Sequence, residues 1–221
     1  MPADIAVDEA GRGCLACEVV AAAVVLPPES PEEERELLKD IRDSKRMSAK
    51  ARTRSATFLR SFLEERRHLG ASYGIGTASV EEIDRLNIRN ATFLAMHRAV
   101  DDCMLRLGGP RARGNDFRIV VDGDGFRPHP NGFPHVCVVK ADATRTDAAA
   151  ASILAKVHRD ALVDEYCDAS PELDALYDFR ANKAYGTKKH MEALKVQGPT
   201  ALHRRTFAPV RNFPKDETKS D

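Results

Sequence analysis

Residues 5–13 read Ile-Ala-Val-Asp-Glu-Ala-Gly-Arg-Gly, and the fold follows from how that stretch ends. Ile5 to Val7 is a short apolar run that reads as a strand, and it runs directly into Asp8 and Glu9. Gly11-Arg12-Gly13 then turns the chain. The same arrangement recurs twice. Phe117 to Val121 reads as a strand closed by Asp122, and His135 to Val139 as a strand with Asp142 just past its end. A strand terminus holds a side chain rigidly, and neighbouring strands can bring such side chains together. One acidic residue after a strand is an ordinary turn former. Four of them, Asp8, Glu9, Asp122 and Asp142, point to a shared cation, because clustered carboxylates repel one another unless a positive ion neutralises them. All-oxygen donors favour magnesium or manganese over zinc. Two such ions about 4 Å apart can activate a water and stabilise the leaving oxygen in phosphodiester hydrolysis.

Between these strands the periodicity changes. Val19 to Leu26 reads as a buried strand stopped by Pro27-Pro28, and Glu32 to Lys39 as a short helix. Asp43-Ser44-Lys45 falls in a loop. Ser48 is placed to cap a helix from about Ala49 to His68, which Gly70 ends. Tyr73 to Ala78 is a strand whose Gly74 and Gly76 permit close backbone approach. Ser79 and Glu82 have the spacing of a capping box. A longer helix opens at Asn90 or Thr92 and runs to about Leu107, and 111–115 reads as a surface insertion. Further helices are expected from Thr146 or Asp147 to about Tyr166, from Glu172 to Tyr177, and from Thr187 or Lys188 to about Val196, with a loop over Ala181 to Gly186. The order predicts an α/β protein, a mixed β-sheet flanked by helices, and not a doubly wound dinucleotide fold. We expect a catalytic domain over 1–169, a helical substrate-binding extension over 170–213 and a polar tail over 214–221.

The chain has 221 residues, 34 of them basic and 34 acidic, so its net charge is zero. The distribution is uneven: Arg42 to Arg67 holds nine basic and three acidic residues, and Arg180 to Arg211 holds eight basic residues against Glu192. Such blocks are either solvated helix faces or a localised footprint for a polyanion. No P-loop or dinucleotide fingerprint is present, since neither Gly11-Arg12-Gly13 nor Lys188-Lys189 has the required glycine spacing. Cys14 and Cys17 have zinc-like spacing without a second pair nearby. Met1 is followed by no basic and apolar leader, so we expect a reduced, cytoplasmic protein. The apolar run from Val19 is too short to span a bilayer.

Several segments match one family in order. Asp8 to Gly13 spells DEAGRG, Asp43 to Lys45 spells DSK, and Val121-Asp122-Gly123 follows. Then come KADATRTDAAAASILAK at 140–156, KAYGTKK at 183–189 and GPTALHRRTFAPV at 198–210. Over roughly Ile5 to Val210 the chain resembles the ribonuclease HII family. The resemblance implies a ribonuclease H-like sheet with a small helical C-terminal extension. It implies that Asp8, Glu9, Asp122 and Asp142 are metal-binding catalytic carboxylates using two Mg2+ or Mn2+ ions. It also implies that Gly11, Arg12 and Gly13 sense a ribose 2′-hydroxyl, and that Tyr185 packs at that ribose. Taken alone, Tyr185 reads as a loop residue with its ring on the core. Lys45, Arg46, Lys183, Lys188 and Lys189 would hold phosphates, with Arg204 and Arg205 as further candidates. The implied activity is hydrolysis 5′ to a ribonucleotide in RNA–DNA hybrids or in duplex DNA with embedded ribonucleotides, leaving 3′-hydroxyl and 5′-phosphate ends, by a monomer. The rivals are a related metal nuclease with another substrate preference and an inert nucleic-acid-binding relative. The chain departs from the family pattern at Cys14, Cys17 and Glu18, which stand for a proline, a glycine and a proline, and at Ala141, which stands for a glycine.

Overall fold

Every residue of β2 (Val19–Val25) is buried, and this strand sets the centre of the fold. With no polar side chain to solvate, Val-Val-Ala-Ala-Ala-Val-Val must be covered on both faces. The computed structural model, which describes residues 2–27, 41, 47–108 and 116–214, shows how. β2 pairs antiparallel with β1 (Ala3–Ala10) and with β3 (Ser72–Ala78). β1 in turn pairs parallel with β4 (Phe117–Asp122), and β4 parallel with β5 (His135–Val138). The sheet order is β3-β2-β1-β4-β5, a mixed sheet as expected.

Helices cover both faces. α1 (Ala49–Glu65) carries the predicted cap, with the Ser48 hydroxyl accepting from the Ala51 amide at 3.2 Å. α2 (Val80–Leu86) has the predicted capping box between Ser79 and Glu82. α3 (Ile88–Arg106) starts earlier than the sequence indicated, because Asn87 caps it by accepting from the Asn90 amide. After β5 come a single turn, α4 (Ala141–Thr144), and the long α5 (Thr146–Ala169). α3 lies on one face, where Ile5, Val7, Ala21, Val121, Ala95 and Ala99 join one apolar cluster. α1 and α5 lie on the other face, with Ala22, Val24, Leu59, Ala151 and Leu154. No helix of the described residues is long and apolar enough to cross a membrane.

The C-terminal helices are α6 (Glu172–Tyr177), α7 (Phe179–Asn182) and α8 (Lys188–Gln197). The turn α7 takes in the first two residues of the loop expected over Ala181 to Gly186, and Lys183 and Ala184 follow it in left-handed conformations. Leu173, Tyr177 and Phe179 pack on Val163 and Cys167 of α5 and on Ala16 and Cys17, so this extension closes against the segment after the Gly11–Gly13 turn. The expected helix over 32–39, the Asp43-Ser44-Lys45 loop with Arg46, and the 111–115 insertion lie outside the described residues.

One expectation is corrected. Asp8 and Glu9 do not follow the first strand but lie within it, because their backbones remain paired to Ala22 and Ala21 of β2. Asp142 lies just past β5 as expected, in the turn α4, after Lys140 reverses the chain at φ 58°.

Candidate active site

The pleat decides which acids meet. Successive strand residues point to opposite faces, so Asp8 shares a face with Ala6 and Ala10, towards α5. Asp122, one residue beyond the α3-facing Val121, lies on that same α5 face. Asp142 is brought up from α4, and the Asp122 carboxylate fixes that turn by accepting from the Ala141 amide at 2.7 Å. Asp8, Asp122 and Asp142 each offer an oxygen, and the three oxygens lie within 4.8 Å of one another. Glu9 faces the other way. Its carboxylate accepts from the Arg12 guanidinium at 3.1 Å and lines the same cleft, outside the group of three.

The electrostatics match a cation site. Burial pushes the Asp8 carboxyl up to about 8, and the charges of Glu9 and Asp122 push it the same way, against hydrogen bonds from Ser152 and the Glu9 amide. Burial also raises Glu9, opposed by Arg12. Three oxygen donors of like charge, two of them buried and one of those, Asp8, hard to ionise, suit a hard divalent ion. Hence Asp8, Asp122 and Asp142 fit a magnesium- or manganese-sized guest by donor chemistry and spacing.

The cleft beside them has a volume of about 450 Å³ and is lined by residues including Gly11, Arg12, Gly13, Lys156 and Tyr185. Gly11 is at φ +93°, and a Cβ there would come within 2.0 Å of the Arg159 Nε, so only glycine fits. Tyr185 does not turn its ring into the core: it is 40% exposed at the cleft, with the Lys156 Nζ 5.6 Å from its ring centroid. An isolated bridge pairs Tyr185 with Cys14, which ties the C-terminal segment to the glycine turn.

The basic candidates fare differently. The Lys183 ammonium pairs with Asp164, and Lys189 pairs with Asp178 at 2.8 Å. Lys188 is exposed and 3.8 Å from Glu192. None of the three lines the carboxylate cleft. Lys45 and Arg46 lie outside the described residues. Arg204 is fully buried, so it cannot hold a phosphate as expected; its guanidinium instead donates to the Cys17 and Arg12 carbonyls at 2.8 and 3.0 Å. His203 is buried too, its Nε2 3.0 Å from that of His190, while Asp147 is committed to Arg145 at 2.6 Å.

Three cleft residues escaped the sequence reading: Arg52, Ser152 and Lys156. Ser152 and Lys156 stand four apart, one helical turn, and Lys156 closes the segment that begins at Lys140. That spacing after an acidic strand end was the available signal. Arg52 lies in the first turn of α1, within the basic block, and carried no signal of its own.

Fold and site together place the chain in the class of metal-dependent nucleases built on a ribonuclease H-like sheet. The fold likeness is direct: the structure of ribonuclease H2 from Pyrococcus horikoshii OT3 superposes with a TM-score of 0.68 at 22% identity, covering 95% of each chain. The chain belongs to the ribonuclease HII family, whose model matches residues 5–210. It is 42% identical over 200 residues to the ribonuclease HII of Parabacteroides distasonis, covering 90% of this chain and 87% of that one. To the ribonuclease HII of Hyphomonas neptunium it is 42% identical over 221 residues, covering 95% of both.

Proposed function

We propose that this protein is an endoribonuclease that hydrolyses the phosphodiester 5′ to a ribonucleotide, in RNA–DNA hybrids and in duplex DNA with embedded ribonucleotides. One observation carries the reading: the Asp8, Asp122 and Asp142 oxygens gather within 4.8 Å beside the cleft that Gly11, Arg12, Gly13 and Tyr185 line. Acid cluster and ribose-reading turn therefore address one bound phosphate.

Bound divalent ions would supply charge neutralisation for the phosphate and activation of the attacking water. The chain's own residues do the rest. Asp8, Asp122 and Asp142 hold the cations, with Glu9, paired to Arg12 in the same cleft, as the fourth carboxylate ligand. The Gly11–Gly13 backbone offers amides and carbonyls to a 2′-hydroxyl, the group that distinguishes RNA from DNA at a given site. The Tyr185 ring packs against the sugar without reading a base. Arg12, Arg52 and Lys156 line the cleft with positive charge and position phosphates without selecting sequence. Water oxygen bonds to phosphorus, the bond to the preceding 3′-oxygen breaks, and the products carry a 3′-hydroxyl and a 5′-phosphate.

Three matched duplexes test this: all DNA, DNA with one ribonucleotide, and an RNA–DNA hybrid, each with magnesium, manganese or chelator. Incision is expected only at ribose-containing strands and only with a divalent ion. Asp122→Asn should slow it by on the order of 100-fold or more with duplex affinity little changed. Cutting of all-DNA duplex at a comparable rate, or full activity in chelator, would overturn the reading.

A further inference from the structure

Two of the largest fully buried side chains are arginines, Arg159 of α5 and Arg204 of the C-terminal segment. Neither makes an ion pair among the described residues; both spend their donors on backbone carbonyls. Arg204 Nε donates to the Cys17 carbonyl at 2.8 Å and Nη1 to the Arg12 carbonyl at 3.0 Å. Arg159 Nε donates to Glu18 at 3.2 Å, Nη2 to Ala16 at 3.2 Å and Nη1 to Lys183 at 2.9 Å. Arg159 also fills the space beneath Gly11 and lies 5.9 Å from the Tyr185 ring centroid.

We propose that Arg159 and Arg204 are positioning residues that lock the Gly11–Gly13 turn and the Tyr185 loop into one rigid ribose-reading unit. The inference rests on the ribose-reading role proposed above. The geometry supplies the reason. The turn and Tyr185 come from opposite ends of the chain, and few direct backbone bonds join them, among them Leu15 to Ala184 at 2.9 Å. A guanidinium carries five donors in a fixed fork, so one side chain can hold several carbonyls at set separations. The arrangement is costly. Burial drives the Arg204 guanidinium down to about 10, and its Nη2 has no hydrogen-bond partner among the described residues. Cys17, one of the gripped carbonyls, is held at φ +63°, a left-handed conformation uncommon for a residue other than glycine. Apolar packing alone would fill this space at lower cost, and it would not fix the Arg12 and Lys183 carbonyls.

The test separates positioning from simple stability. Arg159→Met and Arg204→Met keep side-chain volume and lose the carbonyl bonds. Steady-state kinetics on the one-ribonucleotide duplex give kcat and KM, and the all-DNA duplex serves as a competitive inhibitor whose Ki reports phosphate contacts. We expect kcat to fall at least tenfold in each variant while Ki stays within twofold. Arg204→Lys, which keeps the buried cation but replaces the fork with one ammonium, should fall between Met and Arg. It is read by the same ratio, below its melting temperature, if the Met variant does not fold. Unchanged kcat with only a lowered Tm overturns the proposal, as does a Ki that rises in step with the loss of kcat. A parent protein that leaves the one-ribonucleotide duplex uncut sinks the functional reading itself, and this inference with it.

Discussion

Burial and the charges of Glu9 and Asp122 all oppose ionisation of Asp8. Its carboxyl holds a proton up to about pH 8 when folded, whereas an unfolded carboxyl releases it near 4. The folded state then binds a proton that the unfolded state lacks across that window. Stability from this group is complete below about pH 4 and lost as pH rises through 8. In chelator, Tm should therefore fall between pH 7 and 9, a range in which the buried histidines, with their lowered pKa values, are already neutral. The thiols of Cys17 and Cys103, pushed up to about 12, act in the same direction at the top of the range. Asp8→Asn isolates the carboxyl: its Tm in chelator should decline less steeply, and magnesium should raise the parent's Tm at pH 8.5 but not the variant's to the same degree. Equal slopes for variant and parent would remove Asp8 from this account. Tyr185→Ala tests the other side of the cleft. Stacking on an aromatic ring is worth about 1–3 kcal/mol, so cleavage at a single ribonucleotide should weaken by roughly 5- to 150-fold; a rate equal to the parent's would place the ring outside the substrate's reach. The acids were legible because four carboxylates recur at the ends of apolar strands, a repetition that turn formation alone does not call for. Arg204 was not: His-Arg-Arg-Thr looks like surface in a linear reading, and only the carbonyls of Arg12 and Cys17, nearly 190 residues away by chain, explain its burial.

At the scale of elements, β3 and α3 show sequence and packing in agreement. Gly74 and Gly76 remove two side chains from the β3 face that α3 covers. A Cβ on Gly76 would lie 2.2 Å from the Ala95 carbonyl oxygen and 2.4 Å from the Ala99 amide nitrogen, and one on Gly74 2.2 Å from the Cys103 amide nitrogen. Those neighbours are helix backbone and cannot rotate aside. Gly76→Ala should cost at least the usual overpacking penalty of about 1–3 kcal/mol, lowering Tm by roughly 3–10 °C in a chain of this size. A thermal scan that leaves Tm unchanged would mean α3 rides further from the sheet. Close approach was readable from two glycines in a strand pattern, and the Ser48 and Ser79 caps were readable from local spacing. The true length of β1 was not, because its continuation through Asp8 and Glu9 depends on pairing with β2, a non-local contact that no local pattern encodes. The α7 turn was missed for a similar reason: it is short, and Asn182 sets it by donating to the Tyr177 carbonyl and accepting from the Ala184 amide.

At the scale of the whole molecule, half of the C-terminal charge that looks like a polyanion footprint in the sequence is consumed within the fold. The C-terminal block supplies eight basic residues, yet Lys183 pairs with Asp164, Lys189 with Asp178, Arg180 with Asp168, and Arg204 is buried. These acids come from α5 and the α6–α7 turn, so the neutralisation appears only once the helices pack. What faces the cleft is narrower: Arg12, Arg52 and Lys156. Each phosphate contact contributes about −0.9 to the slope of log K against log salt on a duplex. Three contacts predict a slope of about −3, and Lys45 and Arg46, if they also engage the duplex, extend it to about −4.5. Binding through the full C-terminal block would instead give a slope near −7. Titrating the one-ribonucleotide duplex with the Asp122→Asn variant across 50 to 300 mM salt measures the difference. Both lysines are ion-paired, Lys156 to Asp160 at 2.6 Å and Lys189 to Asp178 at 2.8 Å, but only Lys156 lines the cleft. Lys156→Gln should therefore reduce the slope by about one, whereas Lys189→Gln should leave it unchanged. A steep slope that survives Lys156→Gln and collapses on Lys189→Gln would move the phosphate path from the carboxylate cleft to the C-terminal helices. The neutral net charge of the chain is thus compatible with nucleic-acid binding, because the cations that line the cleft, although Arg12 and Lys156 are also paired with Glu9 and Asp160, stand where a duplex backbone would pass.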